Sequence, residues 1–239
     1  MSSFREFAET CRAIENERSR LKKISLLATY LKSLPPEEVG IASLLMMAKT
    51  TPERSGRPLN VGWSTIIGAI NSRHAAVLLA EPLKLLDVWE SFGKIARLTG
   101  QGSRDRRQNI LLRLFNRADD LERDWLLRIL SDEMRHGVNR GLILEALAQI
   151  AGTDPEHVRR ADMLLGDIMD LARLAVGRKL ETVGIRLFTP VRPMLAEMAE
   201  NIGEALKSIG GSGYLNPKYD GVRVQIHVSR PEVRIYTRH

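Results

Sequence analysis

The sequence predicts a mainly α protein that ends in β structure. Apolar residues recur at helical spacing from Phe4 to about Gly177, and the breaks in that pattern fall at Gly, Pro and Asn. Strict alternation of β-branched residues begins at Val222. The texture divides the chain into an all-α unit, residues 1–180, and the opening helix and β-hairpin of an α/β unit, residues 181–239.

Each element has a local reason. Phe4, Phe7, Cys11 and Ile14 make one helical stripe behind a capping Ser2-Ser3 pair, and Leu21, Ile24, Leu27, Tyr30 and Leu31 make a second. Pro35-Pro36 opens a third helix, where proline is tolerated in the first turn and Glu37-Glu38 suit the positive helix end. Residues 51–58 form a polar loop. Helices are expected around 62–71, 81–98, 105–115 and 119–133, with breaks at Gly100-Gln101-Gly102 and near Asn116. Gly137 sets off a helix at 138–151, and Asp154-Pro155-Glu156 starts another with an acid cap, proline and an acidic first turn. The prolines at 190 and 193 mark extended chain, and Glu197 to Ile209 reads as a further helix ahead of the Gly210-Gly211-Ser212-Gly213 turn. No fixed-period repeat points to a solenoid.

The two alternating runs at the end, Val222–Val228 and Val233–Thr237, flank Ser229-Arg230-Pro231-Glu232 and read as a hairpin. Pairing Val228 with Val233 sets Ile226 opposite Ile235 and Val224 opposite Thr237, which collects the apolar side chains on one face. The same register sets Arg223 opposite Arg238. Like charges in that relation repel unless a polyanion lies between them.

Composition narrows the chemistry. With 44% hydrophobic and 27% charged residues in 239, the chain has enough apolar material for a sizeable core. A net charge of +7 favours an anionic partner, most simply nucleic acid or nucleotide. Cys11 is the only cysteine, which excludes a disulfide framework and a cysteine-rich zinc site. The histidines at 74, 136, 157, 227 and 239 show no metal-ligand spacing, and His227 reads as a strand-face residue. No secretory leader and no run of about 18 apolar residues occurs, which points to a cytoplasmic setting without a membrane partner.

The segment with the most chemical content is Lys218-Tyr219-Asp220-Gly221-Val222-Arg223, with its lysine 21 residues from the chain's end. Lysine, then Asp-Gly, then arginine is the layout of a covalent nucleotidyltransferase site, in which the amine attacks an α-phosphate and carries the nucleotide as a phosphoramidate. A free lysine is protonated at neutral pH; nearby guanidiniums and partial burial favour its nucleophilic form. Arg223 and Arg238 offer guanidinium forks to phosphate or ribose oxygens, and Asp-Gly permits a tight turn close to the nucleotide. Mg²⁺ would neutralise the departing pyrophosphate. The plainer reading is a surface hairpin with exposed basic residues, since K-x-D-G arises by chance in roughly a few per cent of chains this long.

Lys218–His227 resembles the adenylation motif of ATP-dependent DNA ligases of the archaeal and eukaryotic-like kind. Thr189–Ala196, T-P-V-R-P-M-L-A, is similar to their segment leading into the adenylation domain, and Glu145-Ala146-Leu147-Ala148 to the end of their helical DNA-binding domain. The N-terminal S-F-R-E-F-A-E-T-C also resembles their start. The resemblance implies a DNA-binding domain at 1–180 and the start of an adenylation (nucleotidyltransferase) domain at 181–239. Lys218 then matches the adenylated lysine, Asp220 the motif aspartate, and Arg223 and Arg238 nucleotide-contacting arginines. Asn216 stands where the family usually has a nucleotide-binding glutamate; it offers a hydrogen-bond acceptor without charge, and Pro217 removes a backbone donor. ATP and Mg²⁺ are the implied cofactors, and nicked duplex DNA and a replication sliding clamp the implied partners. The resemblance further implies that a remaining adenylation region and an OB-fold would follow His239, so that 239 residues would not seal nicks alone.

In the helical unit, Arg104, Arg106 and Arg107 follow Gly102, with Arg113 and Arg117 beyond them, and Arg135 and Arg140 flank Gly137. The resemblance makes the first three and the last two candidates for sequence-independent phosphate contacts. Interleaved acids such as Asp105, Asp119 and Glu122 allow the alternative of a solvated charged face. Trp63, Trp89 and Trp125 lie among apolar residues and are expected in the core. Two other function classes share these features: an RNA ligase or capping-type guanylyltransferase, and a non-catalytic DNA-binding module.

Overall fold

Ser3 begins the fold as the sequence predicts. Its hydroxyl accepts the Arg5 N–H at 3.1 Å, and α1 runs Phe4–Asn16 behind it. The computed structural model describes residues 1–72, 81–193, 198–217 and 220–237. Helices follow as α2 (Arg20–Ser33), α3 (Pro36–Met46), α4 (Trp63–Asn71), α5 (Leu85–Arg97), α6 (Ser103–Arg117), α7 (Asp120–Ser131), α8 (Arg140–Ala151), α9 (Pro155–Leu165), α10 (Ile168–Val176) and α11 (Ile202–Ser208). Short 3-10 turns lie at Glu53–Ser55 and Leu180–Thr182. The strands are β1 (Val224–Ser229) and β2 (Glu232–Thr237).

Side-chain caps fix most of the helix starts. Asp119 and Glu122 exchange hydrogen bonds with each other's backbone N–H at 2.9 and 2.8 Å, a capping box for α7. Asn139, Asp154 and Asp167 accept N–H bonds from the first turns of α8, α9 and α10. Each such cap satisfies donors the helix itself cannot, and its loss typically costs about 1 kcal/mol.

The helices close around a single core. Phe4, Phe7, Phe92, Phe115 and Trp125 are fully buried, and α1 packs against α2, α5 and α7 while α2 packs on α8 and α4 on α6. Burying one side chain of this size contributes about 1.5–3 kcal/mol. At the centre α3 crosses α10 so closely that a Cβ on Gly40 would lie 2.7 Å from the Met169 Cα. Glu38, a first-turn acid of α3, is buried and accepts the Ser2 N–H at 3.0 Å.

Three expectations are corrected. Leu21 is 76% exposed: it is the second residue of α2, ahead of the helix's buried stripe, and borders the shallow groove beside Pro155. Of the helix expected from Glu197 to Ile209, Glu197 lies outside the described residues and residues 198–201 are not helical; the helix runs Ile202–Ser208, capped where Asn201 accepts the Glu204 N–H at 2.9 Å. Trp63 is 60% exposed at the start of α4; Trp125 is buried and Trp89 half-buried.

The hairpin has the expected register: Val228 pairs with Val233, Ile226 with Ile235 and Val224 with Thr237, antiparallel. Its polar face, not its apolar one, meets the rest of the chain. His227 Nδ1 accepts the Phe188 N–H at 2.9 Å, Gln225 bonds both backbone groups of Val191, and Tyr236 Oη donates to Phe188 O at 2.8 Å. Among the described residues every buried apolar side chain lies between Phe4 and Leu180, and Val224, Ile226, Val228, Val233 and Ile235 are all exposed.

Candidate nucleotide and DNA surfaces

Of the nucleotide-site residues, Lys218 and Arg238 lie outside the described residues. Asn216 and Asp220 are exposed on the irregular stretch between α11 and β1, and Arg223 is exposed one position ahead of β1. The stretch therefore carries these three polar side chains into solvent beside the hairpin, while the cross-strand pair of Arg223 with Arg238 falls outside the description.

A partly buried ion-pair cluster anchors the segment that leads to the hairpin. Arg192 donates through its backbone to Met163 O at 3.0 Å and through its guanidinium to Gly166 O and Glu53 Oε1, each at 3.0 Å. Glu53 also accepts from Arg140 Nη1 at 2.7 Å and from the Ile168 N–H at 2.9 Å. Burial alone would raise the Glu53 carboxyl, but the Arg140 and Arg192 guanidiniums outweigh it and hold the group below the usual carboxylate range.

The arginines chosen from the helical unit divide by position. Arg140 sends Nε and Nη2 to the two oxygens of Asp162 and Nη1 to Glu53, so three of its donors are spent inside the protein. Arg107 donates to Asn60 O at 3.1 Å and to Leu98 O, joining two loops. Arg104, Arg106 and Arg135 are exposed. Arg104 reaches Ser64 Oγ at 3.3 Å, Arg106 lies back over Gln101 O at 3.1 Å, and Arg135 pairs with Glu133. Beside Arg135 the buried His136 ring stacks on Trp125 at 5.6 Å and accepts the Val138 N–H at Nδ1; burial and the nearby Lys23 push its pKa down to about 4.

The sequence reading passes over Glu53 and Arg192. Neither sits in a periodic pattern, and a contact spanning 139 positions leaves no local trace. It also passes over the left-handed backbone at Asn60 (φ 51°) and Arg135 (φ 54°), which turns the chain shortly before α4 and before α8. Asn60-Val61-Gly62 and Gly137 were available as signals there.

Two family descriptions match. Residues 3–75 and 70–148 match "DNA ligase N terminus", and residues 193–239 match "ATP dependent DNA ligase domain". The chain belongs to the ATP-dependent DNA ligases. It is 34% identical to DNA ligase 1 of Korarchaeum cryptofilum across 98% of its own length and 47% of that protein's. It is 32% identical to the DNA ligase of Methanopyrus kandleri, covering 98% of this chain and 48% of that one, and 34% identical to DNA ligase B of Mycobacterium tuberculosis, covering 92% and 42%. The chain thus spans about half the length of the relatives it matches.

In this ligase chain the N-terminal match covers α1 to most of α8, and the second match covers α11 and the hairpin. Residues 149–192 between them contain α9, α10 and Arg192. Among the described residues no group of three or more His, Cys, Asp or Glu side chains converges on a metal position, and no described helix is long and apolar enough to cross a membrane.

Proposed function

We propose that this chain supplies the duplex-gripping and lysine-adenylating portion of an ATP-dependent enzyme that seals nicks in DNA during replication, repair and recombination. The observation that carries the reading is the order of the two ligase matches, with Lys218-Tyr219-Asp220-Gly221 inside the second and directly ahead of β1. In this reading the Lys218 amine attacks the α-phosphate of ATP, a P–N bond forms and pyrophosphate leaves. The AMP passes to the 5′-phosphate at a nick, and the 3′-hydroxyl then displaces AMP to close the strand. Arg223 and Arg238 position the nucleotide, Asn216 accepts a hydrogen bond from it, and Asp220 assists at the phosphates. A divalent ion of the Mg²⁺ type would neutralise the phosphates. The described residues offer no carboxylate cluster to hold one.

The division falls at 180/181, supported by the apolar core, whose last member is Leu180. For the DNA face we retain Arg104, Arg106 and Arg135, which are exposed, and assign Arg107 and Arg140 to holding the loops and α8 in place. The family alone supports the remaining parts of the reading, a replication sliding clamp as partner and a cytoplasmic setting. Transfer of label from α-labelled ATP to the protein, absent in Lys218→Arg, is the expected outcome; preferential transfer from GTP overturns the ligase reading in favour of a capping-type enzyme.

A second reading is favoured by one observation: no described residue after Leu180 is buried, so the nucleotide half has no core of its own within these residues. On that reading the 239 residues alone act as a DNA-binding module. Duplex binding that survives Lys218→Ala, with no label transfer from ATP, is its signature.

A further inference from the structure

Trp63 is the largest exposed side chain of the helical unit, and its surroundings are basic. It starts α4, 60% exposed, whereas the following Thr65 and Ile66 are buried. The first turn of α6 lies against this point: Arg104 Nη2 donates to Ser64 Oγ at 3.3 Å and Arg107 Nη1 to Asn60 O at 3.1 Å. No acid occurs between residues 57 and 64, and residues 97–107 hold four arginines against the single Asp105. The rim is also low. A Cβ built on Gly62, Gly100 or Gly102 would meet nothing within 4 Å.

We propose that Trp63 lays its indole on the sugar and base edges of a nucleic-acid duplex whose phosphates are held by Arg104 and Arg106. The inference rests on the ligase reading above and deepens it by naming an apolar contact within the DNA face. Guanidiniums answer phosphate charge, but they leave the groove between the strands unfilled. An indole has broad apolar faces and one N–H donor, which suits a sugar-lined groove or a base step opened at a nick and reads no particular sequence. A protein partner would call for an apolar ring around the tryptophan. Here Gly62 and Ser64 flank it, Arg104 and Arg107 reach the same turn, and Leu59 and Val61 pack partly against the core, a setting that suits a polyanion.

Trp125 is buried and Trp89 half-buried, so the difference in emission between wild type and Trp63→Phe isolates Trp63. With a short nicked duplex bound, acrylamide quenching of that component should fall at least about twofold. Trp63→Ala should weaken duplex binding about tenfold without changing its salt dependence, because no phosphate contact is removed. Quenching that is equal in free and bound protein, measured on wild type that does bind duplex, overturns the proposal and leaves the ligase reading intact. Wild type that fails to bind duplex at low salt overturns both. The quenching arm uses only wild type and the conservative Trp63→Phe, so it stands even if Trp63→Ala fails to fold.

Discussion

Arg192 donates to Glu53 at 3.0 Å and so ties the segment that holds the hairpin to the loop ahead of α4. Because Glu53 also receives Arg140 at 2.7 Å, one carboxylate bridges two guanidiniums from distant parts of the chain. Removing a partner from such a pair leaves charge uncompensated in a partly buried site, which costs more than the pair itself contributes. Glu53→Gln should lower unfolding free energy by about 2 kcal/mol in urea titration. It should also raise hydrogen exchange at Val191, which the Gln225 side chain contacts. Unchanged stability would show the cluster to be solvated and weak.

The pH dependence of stability has two separable parts. Glu53 is held below its ordinary range, so its contribution is present above about pH 4.3 and is lost as pH falls through the lower folded value. His136 is likewise depressed, to about 4, and favours the neutral ring; its contribution is complete above about pH 6.5 and is lost between there and about pH 4. Wild type should therefore lose about 2–3 kcal/mol between pH 7 and 4.5, whereas His136→Asn, lacking the imidazole, should show only a small part of that loss when unfolding is measured at both values. A wild-type and mutant difference that stays constant with pH would contradict the neutral buried ring.

How far the sequence could be read depended on the range of the interaction. Caps at Ser3 and Asp154 and the hairpin register are set by neighbours a few positions apart, and all appear in the folded chain. Trp63 went astray because apolar neighbours indicate a core face only once the helix is placed, and α4 turns that side chain outward. Arg140 and Arg107 resemble phosphate ligands in a charge pattern, yet their partners Asp162, Glu53, Asn60 and Leu98 lie on other elements. The Lys218 motif stands on its letters and on the family match, since Lys218 lies outside the described residues.

The α3–α10 crossing gives a steric prediction. Gly40→Ala places a methyl 2.7 Å from a backbone atom of Met169, which cannot rotate away, so the helices must separate. A loss of about 2–3 kcal/mol is expected by thermal unfolding. Gly184→Ala, where a Cβ meets nothing within 4 Å, should change stability by less than about 0.5 kcal/mol. Equal effects at the two positions would mean that the crossing is looser than drawn.

The basic residues of α6 should separate into two experimental classes. Arg104 and Arg106 are exposed, so under the proposed function each contacts phosphate and releases counterions on binding. Arg104→Ala and Arg106→Ala should each lower the magnitude of the slope of log K against log salt by about one, with little change in melting temperature. Arg107 instead spends its donors on the carbonyls of Asn60 and Leu98 and is half-buried. Arg107→Ala leaves those carbonyls without their partner and should cost about 1–2 kcal/mol of stability while the salt slope holds. If Arg107→Ala instead reduces the slope as Arg104→Ala does, its guanidinium leaves the loops when DNA arrives, and the division of this helix into a gripping edge and a bracing edge fails.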